Sequence, residues 1–241
     1  MKDFKLDTNE MMEKGVHFGH RISKLHPKMK PYISGVKNTI HIIDLEKTVE
    51  KFNGALKFIE ELITRGGVLL IVGTKIQVRE LVKKFAQDCG LPYVSERWLG
   101  GTFTNFDTIL KRIEYYKELE RKKEAGELEK YTKKERIKID KEIQTLKIKF
   151  EGIKNMTKLP EAVFILDIKK DELTAKEARI RGVKVIGVCH TNINPDLTDY
   201  PIPANDDAIS SIQYILEKVA EVIKKAKTND DNHQSNKTTP R

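Results

Sequence analysis

The sequence predicts a doubly wound α/β protein with a helical insertion, and three features carry that reading. Short apolar runs alternate with helical patterns along most of the 241 residues. Several of those runs are continuously apolar and β-branched, which suits strands covered on both faces of a parallel sheet. One stretch, 105–153, breaks the alternation with heptad spacing and dense charge.

Residues 39–45 (TIHIIDL) and 67–73 (GVLLIVG) read as strands, as do 92–95, 162–167 (AVFILD) and 183–189 (VKVIGVC). Amphipathic helices fall between them at 45–64, 76–88 and 173–181. A last helix, 208–226, carries Ile209, Ile212, Leu216, Val219 and Ile223 on one stripe. Asn205, Asp206 and Asp207 precede it, where side-chain oxygens cap free amides and negative charge complements the helix dipole. Elements in this order imply helices packed on both faces of one sheet.

Within 105–153, Phe106, Ile109, Ile113 and Tyr116 follow a 3-4-3 spacing, and Ile139, Ile143, Leu146, Phe150 and Ile153 follow 4-3-4-3. Interrupted near Gly126, these seams predict two antiparallel helices in a coiled-coil hairpin. Each arm would reach roughly 30 Å. The strands on either side belong to one sheet, so 1–104 and 154–227 together form the α/β domain and 105–153 is an insertion. Residues 228–241 (TNDDNHQSNKTTPR) hold no large apolar side chain and are expected to be disordered.

Composition narrows the partner. The chain has 45 Lys and Arg against 36 Asp and Glu, a formal charge of +9, which favours a polyanion. Cys89 and Cys189 form neither a disulfide framework nor a C-x-x-C, so a reducing, cytosolic setting is the default. The first residues lack the apolar segment of a signal peptide, and VLLIV at 68–72 is too short to span a bilayer, so neither export nor membrane insertion is expected.

The charge is not evenly spread. From Lys14 through Ile43 there are six basic residues (Lys14, Arg21, Lys24, Lys28, Lys30 and Lys37) and no acid. Pro27 and Pro31 prevent a regular helix there, so the segment reads as an extended, semi-rigid basic loop. Such a loop can follow a phosphate backbone, and Tyr32 can stack on a base. The bland alternative is a solvated loop.

Other motifs are less specific. Gly73-Thr74-Lys75 follows a strand, but the glycine that a P-loop needs at the other end is missing, and no G-x-G-x-x-G follows any strand. Lys75 is therefore read as facing an external anion such as an RNA phosphate. His17, His20, His26 and His41, with Cys189-His190 at a strand end, leave a metal assembled across the fold open, although no local spacing completes a tetrahedral set. No catalytic constellation such as G-x-S-x-G is present. In ERWLGGTFTNF (96–106), Trp98 reads as a core anchor beside a Gly-Gly pair. Residues 130–149 hold eight Lys or Arg and three acids, so the second arm of the hairpin is net basic and suits RNA or a neighbouring protein.

GVHFGHR, HPKMKPYI, IHIIDLEKT, VGTK, ERWLGGTFTNF, GIKNM, LPEAVFILD, TN-x-x-PD and IPANDDA occur in this order from about Thr8 to Lys225. In that order they resemble the small-subunit ribosomal protein S-two family of bacteria and organelles. The resemblance implies a flavodoxin-like or Rossmann-like α/β/α sandwich with an inserted coiled-coil hairpin, and neither enzymatic activity nor a cofactor. It further implies a place on the small ribosomal subunit, in a bacterial cytoplasm or an organelle. Its partners there would be small-subunit ribosomal RNA and neighbouring proteins, including the messenger-binding protein S-one, which it would help dock. Two positions depart from the family pattern: Leu25-His26 stands where members commonly have Trp-Asn, and His190 where they commonly have Asp. Arg21, Lys24, Lys28, Lys30, Tyr32, Lys37 and Lys75 are the expected RNA contacts. The residues themselves leave two rivals open, a nucleotide-dependent enzyme and a coiled-coil adaptor outside the ribosome.

Overall fold

The computed structural model describes residues 4–235. In chain order its elements are α1 (Thr8–Glu13), β1 (Phe18–Arg21), β2 (Ile33–Lys37), β3 (Ile40–Ile43), α2 (Leu45–Thr64), β4 (Leu69–Val72), α3 (Arg79–Cys89), β5 (Tyr93–Val94), α4 (Phe106–Glu124), α5 (Lys133–Phe150), β6 (Ala162–Ile165), α6 (Glu172–Ile180), β7 (Lys184–Cys189), β8 (Tyr200–Pro203) and α7 (Ile209–Ser235).

Five strands pair in parallel in the order β5-β4-β6-β7-β8. Counted along the chain this is 2-1-3-4-5, the flavodoxin-like order, whose switch point lies between β4 and β6. The continuous apolar runs follow from burial on both faces. Leu69, Ile71, Phe164, Ile186 and Val188 enter a core with α2, α3 and α7. Leu70, Val72, Val163, Ile165 and Val185 enter a second core with α6, Trp98, Phe103 and the seam residues of α4 and α5. Helix α2 starts where expected because Asp44 accepts hydrogen bonds from the amides of Glu46 (3.0 Å) and Lys47 (3.4 Å).

Helices α4 and α5 leave the sheet after β5 and return to β6. Ile109, Ile113, Tyr116 and Leu119 of α4 are buried, as are Ile143, Leu146 and Phe150 of α5. Lys123 Nζ meets Asp140 at 2.6 Å across the pair, and Tyr115 donates to Glu142 at 3.1 Å. After α5 the backbone of Gly152 presses on the outer side of β5. A Cβ added there would lie 2.1 Å from the carbonyl oxygen of Tyr93. The turn thus covers an edge strand that would otherwise offer free pairing groups.

Several expectations are corrected. Residues 39–45 do not join the parallel sheet; β3 is the central strand of a separate antiparallel sheet, ordered β1-β3-β2. The basic segment is accordingly not an extended loop. Pro27 opens a 3-10 turn, Pro27–Tyr32, at the position where its missing N–H costs nothing, and Pro31 is accommodated inside that turn. Strand β8 went unpredicted because Pro201 and Pro203 discourage a strand assignment, yet an edge strand tolerates them. Helix α7 continues past the expected end at 226 to Ser235, since extending an existing helix adds a hydrogen bond per residue. Of the tail expected to be disordered, 236–241 lie outside the described residues.

Candidate nucleic-acid interface

The antiparallel sheet gives the basic segment a fixed shape. Asn38 and Thr39 join β2 to β3 with φ of 49° and 64°, the left-handed pair of a tight two-residue hairpin. In the 3-10 turn the side chain of His26 accepts from the amide of Lys28 at 3.3 Å, while Met29 is fully buried. Burying Met29 turns Lys28 and Lys30 outward, and both are exposed. The segment is tied to the α/β domain: His26 donates its amide to the carbonyl of Thr191 at 2.8 Å, and the amide of His20 donates to Thr191 Oγ1 at 2.9 Å.

Arg21, Lys24, Lys28, Lys30 and Lys37 all reach solvent. Among them Lys28 alone holds an ion pair within the described residues, with Asp196, and both partners are more than half exposed. A pair in that setting contributes about 1 kcal/mol or less, so it does not commit Lys28 to the protein interior. Tyr32 is half-buried against the second core, and its carbonyl accepts from the amide of Asp44 at 2.9 Å. Lys169, in the loop after β6, is exposed and lies close enough to His20 to act on its charge, as Lys24 does. Sequence reasoning missed it, although Lys169-Lys170 follow the carboxyl end of a well-marked strand.

Lys75 is placed differently. Its ammonium meets Asp167 at 2.9 Å, Asp206 at 2.8 Å and Asp207 at 2.9 Å, and donates to the carbonyl of Asp206 at 3.1 Å. Burial works against its charge, but Asp206 and hydrogen bonds to the three carboxylates outweigh burial and raise its pKa. The three donors of an ammonium are therefore used inside the protein. Thr74 is engaged as well, its hydroxyl donating to Asp171 at 2.9 Å. The turn at the switch point is thus closed by the chain's own acids where a nucleotide-binding relative of this fold would place phosphate.

Beside this cluster, His20 stacks on His190 with ring centroids 3.8 Å apart. The two rings face Asp207 at 3.7 and 4.0 Å. Burial, with His20 nearby, pushes His190 down to about 3, so it is neutral at physiological pH. Burial also lowers His20, against the pull of Asp207. One ligand atom each from His20, His190 and Asp207 lies within 4.8 Å of the others, a donor set able to hold a metal ion. The amide of Thr191 donates to His190 Nδ1 at 2.7 Å, which puts the ring proton on Nε2, the atom facing Asp207. That tautomer suits a hydrogen bond to the carboxylate and would have to change before Nε2 could bind a metal.

The Trp98 loop turns inward. Trp98 is buried and donates Nε1 to Glu177 at 3.3 Å. The same carboxylate accepts from the amides of Gly101 (2.8 Å), Phe103 (2.9 Å) and Thr104 (3.3 Å). Burial opposes charge on Glu177, yet those amides hold it below the usual carboxylate range. The Gly-Gly pair therefore approaches a carboxylate of this chain.

Fold and surface together define a basic α/β protein of flavodoxin-like order that presents cations on a small antiparallel sheet. The chain belongs to the ribosomal protein S2 family, whose model matches residues 11–226. It is 45% identical over 218 residues to the small ribosomal subunit protein uS2 of Geotalea uraniireducens (strain Rf4), covering 90% of this chain and 85% of that protein. Among the described residues no helix is long and apolar enough to cross a membrane.

Proposed function

We propose that this chain is a non-enzymatic structural component of the small ribosomal subunit that binds small-subunit ribosomal RNA through the β1–β3 sheet and its 3-10 turn. The observation that carries the reading is the acid-free segment 14–43, folded so that Arg21, Lys24, Lys28, Lys30 and Lys37 stand exposed together. Phosphate contacts of this kind fix register and orientation and make binding salt-dependent. Lys169 extends the same surface, and Tyr32 stacks only through its exposed part. Lys75 sits behind it as a counter-ion.

In this reading 105–153 is a coiled-coil arm inserted in an α/β domain formed by 1–104 and 154–227. The arm reaches neighbouring subunit proteins, and the chain helps dock the messenger-binding protein S-one. The heptad seams and the inter-helix pairs Lys123–Asp140 and Tyr115–Glu142 support an arm whose two helices are held together. The ribosomal setting is a bacterial cytoplasm or an organelle interior.

The test neutralises Lys24, Lys30 and Lys37 together and measures incorporation into small subunits. Reduced occupancy with an unchanged unfolding midpoint is the expected result, and unchanged occupancy counts against the reading. Comparing S-one content in subunits that carry or lack residues 105–153 tests the docking role.

A further inference from the structure

A cleft of about 480 Å³ opens between α5 and the β5 edge of the domain, away from the basic sheet. Four cations line it, Lys83, Arg97, Lys147 and Lys149, against the two carboxylates of Glu96 and Glu151. Both carboxylates are engaged inside the protein: Glu96 with Arg79 and Lys83, Glu151 with the hydroxyl of Tyr116. Arg97, Lys147 and Lys149 are exposed and hold no ion pair or hydrogen bond among the described residues. The acids of α5 are also occupied, since Glu135 reaches back to the amide of Thr132, Asp140 pairs with Lys123, and Glu142 accepts from Tyr115. Lys83 is paired with Glu80 and Glu96, and Lys147 acts on the charge of Glu120, so among the described residues Arg97 and Lys149 are the cleft cations left without a paired acid, and a concave wall concentrates their field.

We infer that this cleft is a second anion-binding surface and that it takes a segment of RNA phosphate backbone. The inference rests on the ribosomal RNA reading given above and extends it to a separate face. Apart from Tyr93, Val94, Ile148 and Gly152 the lining side chains are polar or charged, with Gln144 adding a further donor, which suits a phosphodiester chain better than an apolar peptide. Strand β5 lies at one edge of the parallel sheet, while the basic sheet is tied to residues that follow β7 and β8 at the other. The chain thereby holds RNA at two separated places, and α5 supplies one wall of the second.

The experiment uses the purified full chain and small-subunit ribosomal RNA, with affinity measured across a salt series. The Arg97→Ala, Lys147→Ala, Lys149→Ala triple variant is compared with the Lys24, Lys30 and Lys37 alanine variant, and thermal unfolding verifies that both fold. The cleft variant is expected to bind about tenfold more weakly near physiological salt and to lose about two to three from the slope of log K against log salt. If the basic-sheet variant loses affinity and the cleft variant does not, the cleft inference fails and the ribosomal RNA reading stands. If the unmodified chain shows no salt-dependent affinity, both fail. Should the cleft variant keep its affinity for RNA but lose a neighbouring protein from subunits, the cleft belongs to an acidic protein partner and the inference is overturned.

Discussion

Lys75 Nζ lies 2.8 Å from Asp206 Oδ1, and the two residues are 131 positions apart. That contact draws the loop after β4 onto the start of α7 and decides what the switch point does. A lysine that local sequence would assign to a phosphate is held by carboxylates.

Removing it should therefore act on stability. Lys75→Met leaves Asp167 and Asp206, both nearly fully buried, without their cation. The expected loss is about 3–5 kcal/mol in urea unfolding, the usual cost of breaking a buried pair from one side. A Lys75→Met protein of normal stability that failed only in RNA binding would return Lys75 to the outer surface.

Glu177 should be as sensitive. Glu177→Ala strips the acceptor from the amides of Gly101, Phe103 and Thr104 and from Trp98 Nε1. Phe103 and Trp98 are the buried donors among these, and an orphaned buried donor costs about 1–3 kcal/mol, so a loss of about 2–6 kcal/mol is expected. Trp98 is the sole tryptophan, so its emission reports the loop directly, and a red shift should accompany the loss. Unchanged emission and stability would mean that the loop is held by other contacts.

The contribution of Asp171 to stability should fall as pH rises, against the opposite contribution of His190. Burial raises this carboxyl from an ordinary 3.8 to about 6, against the hydrogen bonds from Thr74. The folded state then binds its proton more tightly than the unfolded chain does. Its contribution is full below about 4 and is lost as pH climbs through about 6, roughly 3 kcal/mol in all. Asp171→Asn should remove that contribution from the profile, and a profile unaltered by the substitution would contradict the assignment.

Thr39 offers a gain. A β-branched residue at φ 64° is strained where glycine is not. Thr39→Gly should stabilise the β2–β3 hairpin by about 1 kcal/mol, read as a raised unfolding midpoint, and a lowered midpoint would show that the threonine side chain makes a compensating contact.

Local pattern was enough wherever a neighbour in sequence decided the outcome. Asp44 caps its own helix, and the strand at 67–73 is apolar throughout because both of its faces are covered, so both could be read directly. The antiparallel sheet was harder to see because its strands are four or five residues long and the hairpin uses Asn38-Thr39 in place of the usual Asn-Gly. Distance in sequence hid the rest. Glu177 looks like a solvent-facing residue of α6 until the fold brings Gly101 to it from 76 positions upstream. Lys75 looks free until Asp206 and Asp207 arrive. The basic run itself was plain in the sequence, but its shape, with Lys24 and Lys30 exposed in 3-10 turns and Lys37 on a strand of the small sheet, required the fold.

The most direct measurement is sedimentation of a tagged copy from lysate on a sucrose gradient, with protein–RNA crosslinks mapped by sequencing. Co-migration with the small subunit and crosslinks concentrated between Arg21 and Lys37 are the predicted result. A chain that stays at the top of the gradient free of RNA, or that enters subunits with no crosslink in that segment, would contradict the central claim that the β1–β3 sheet is the RNA contact.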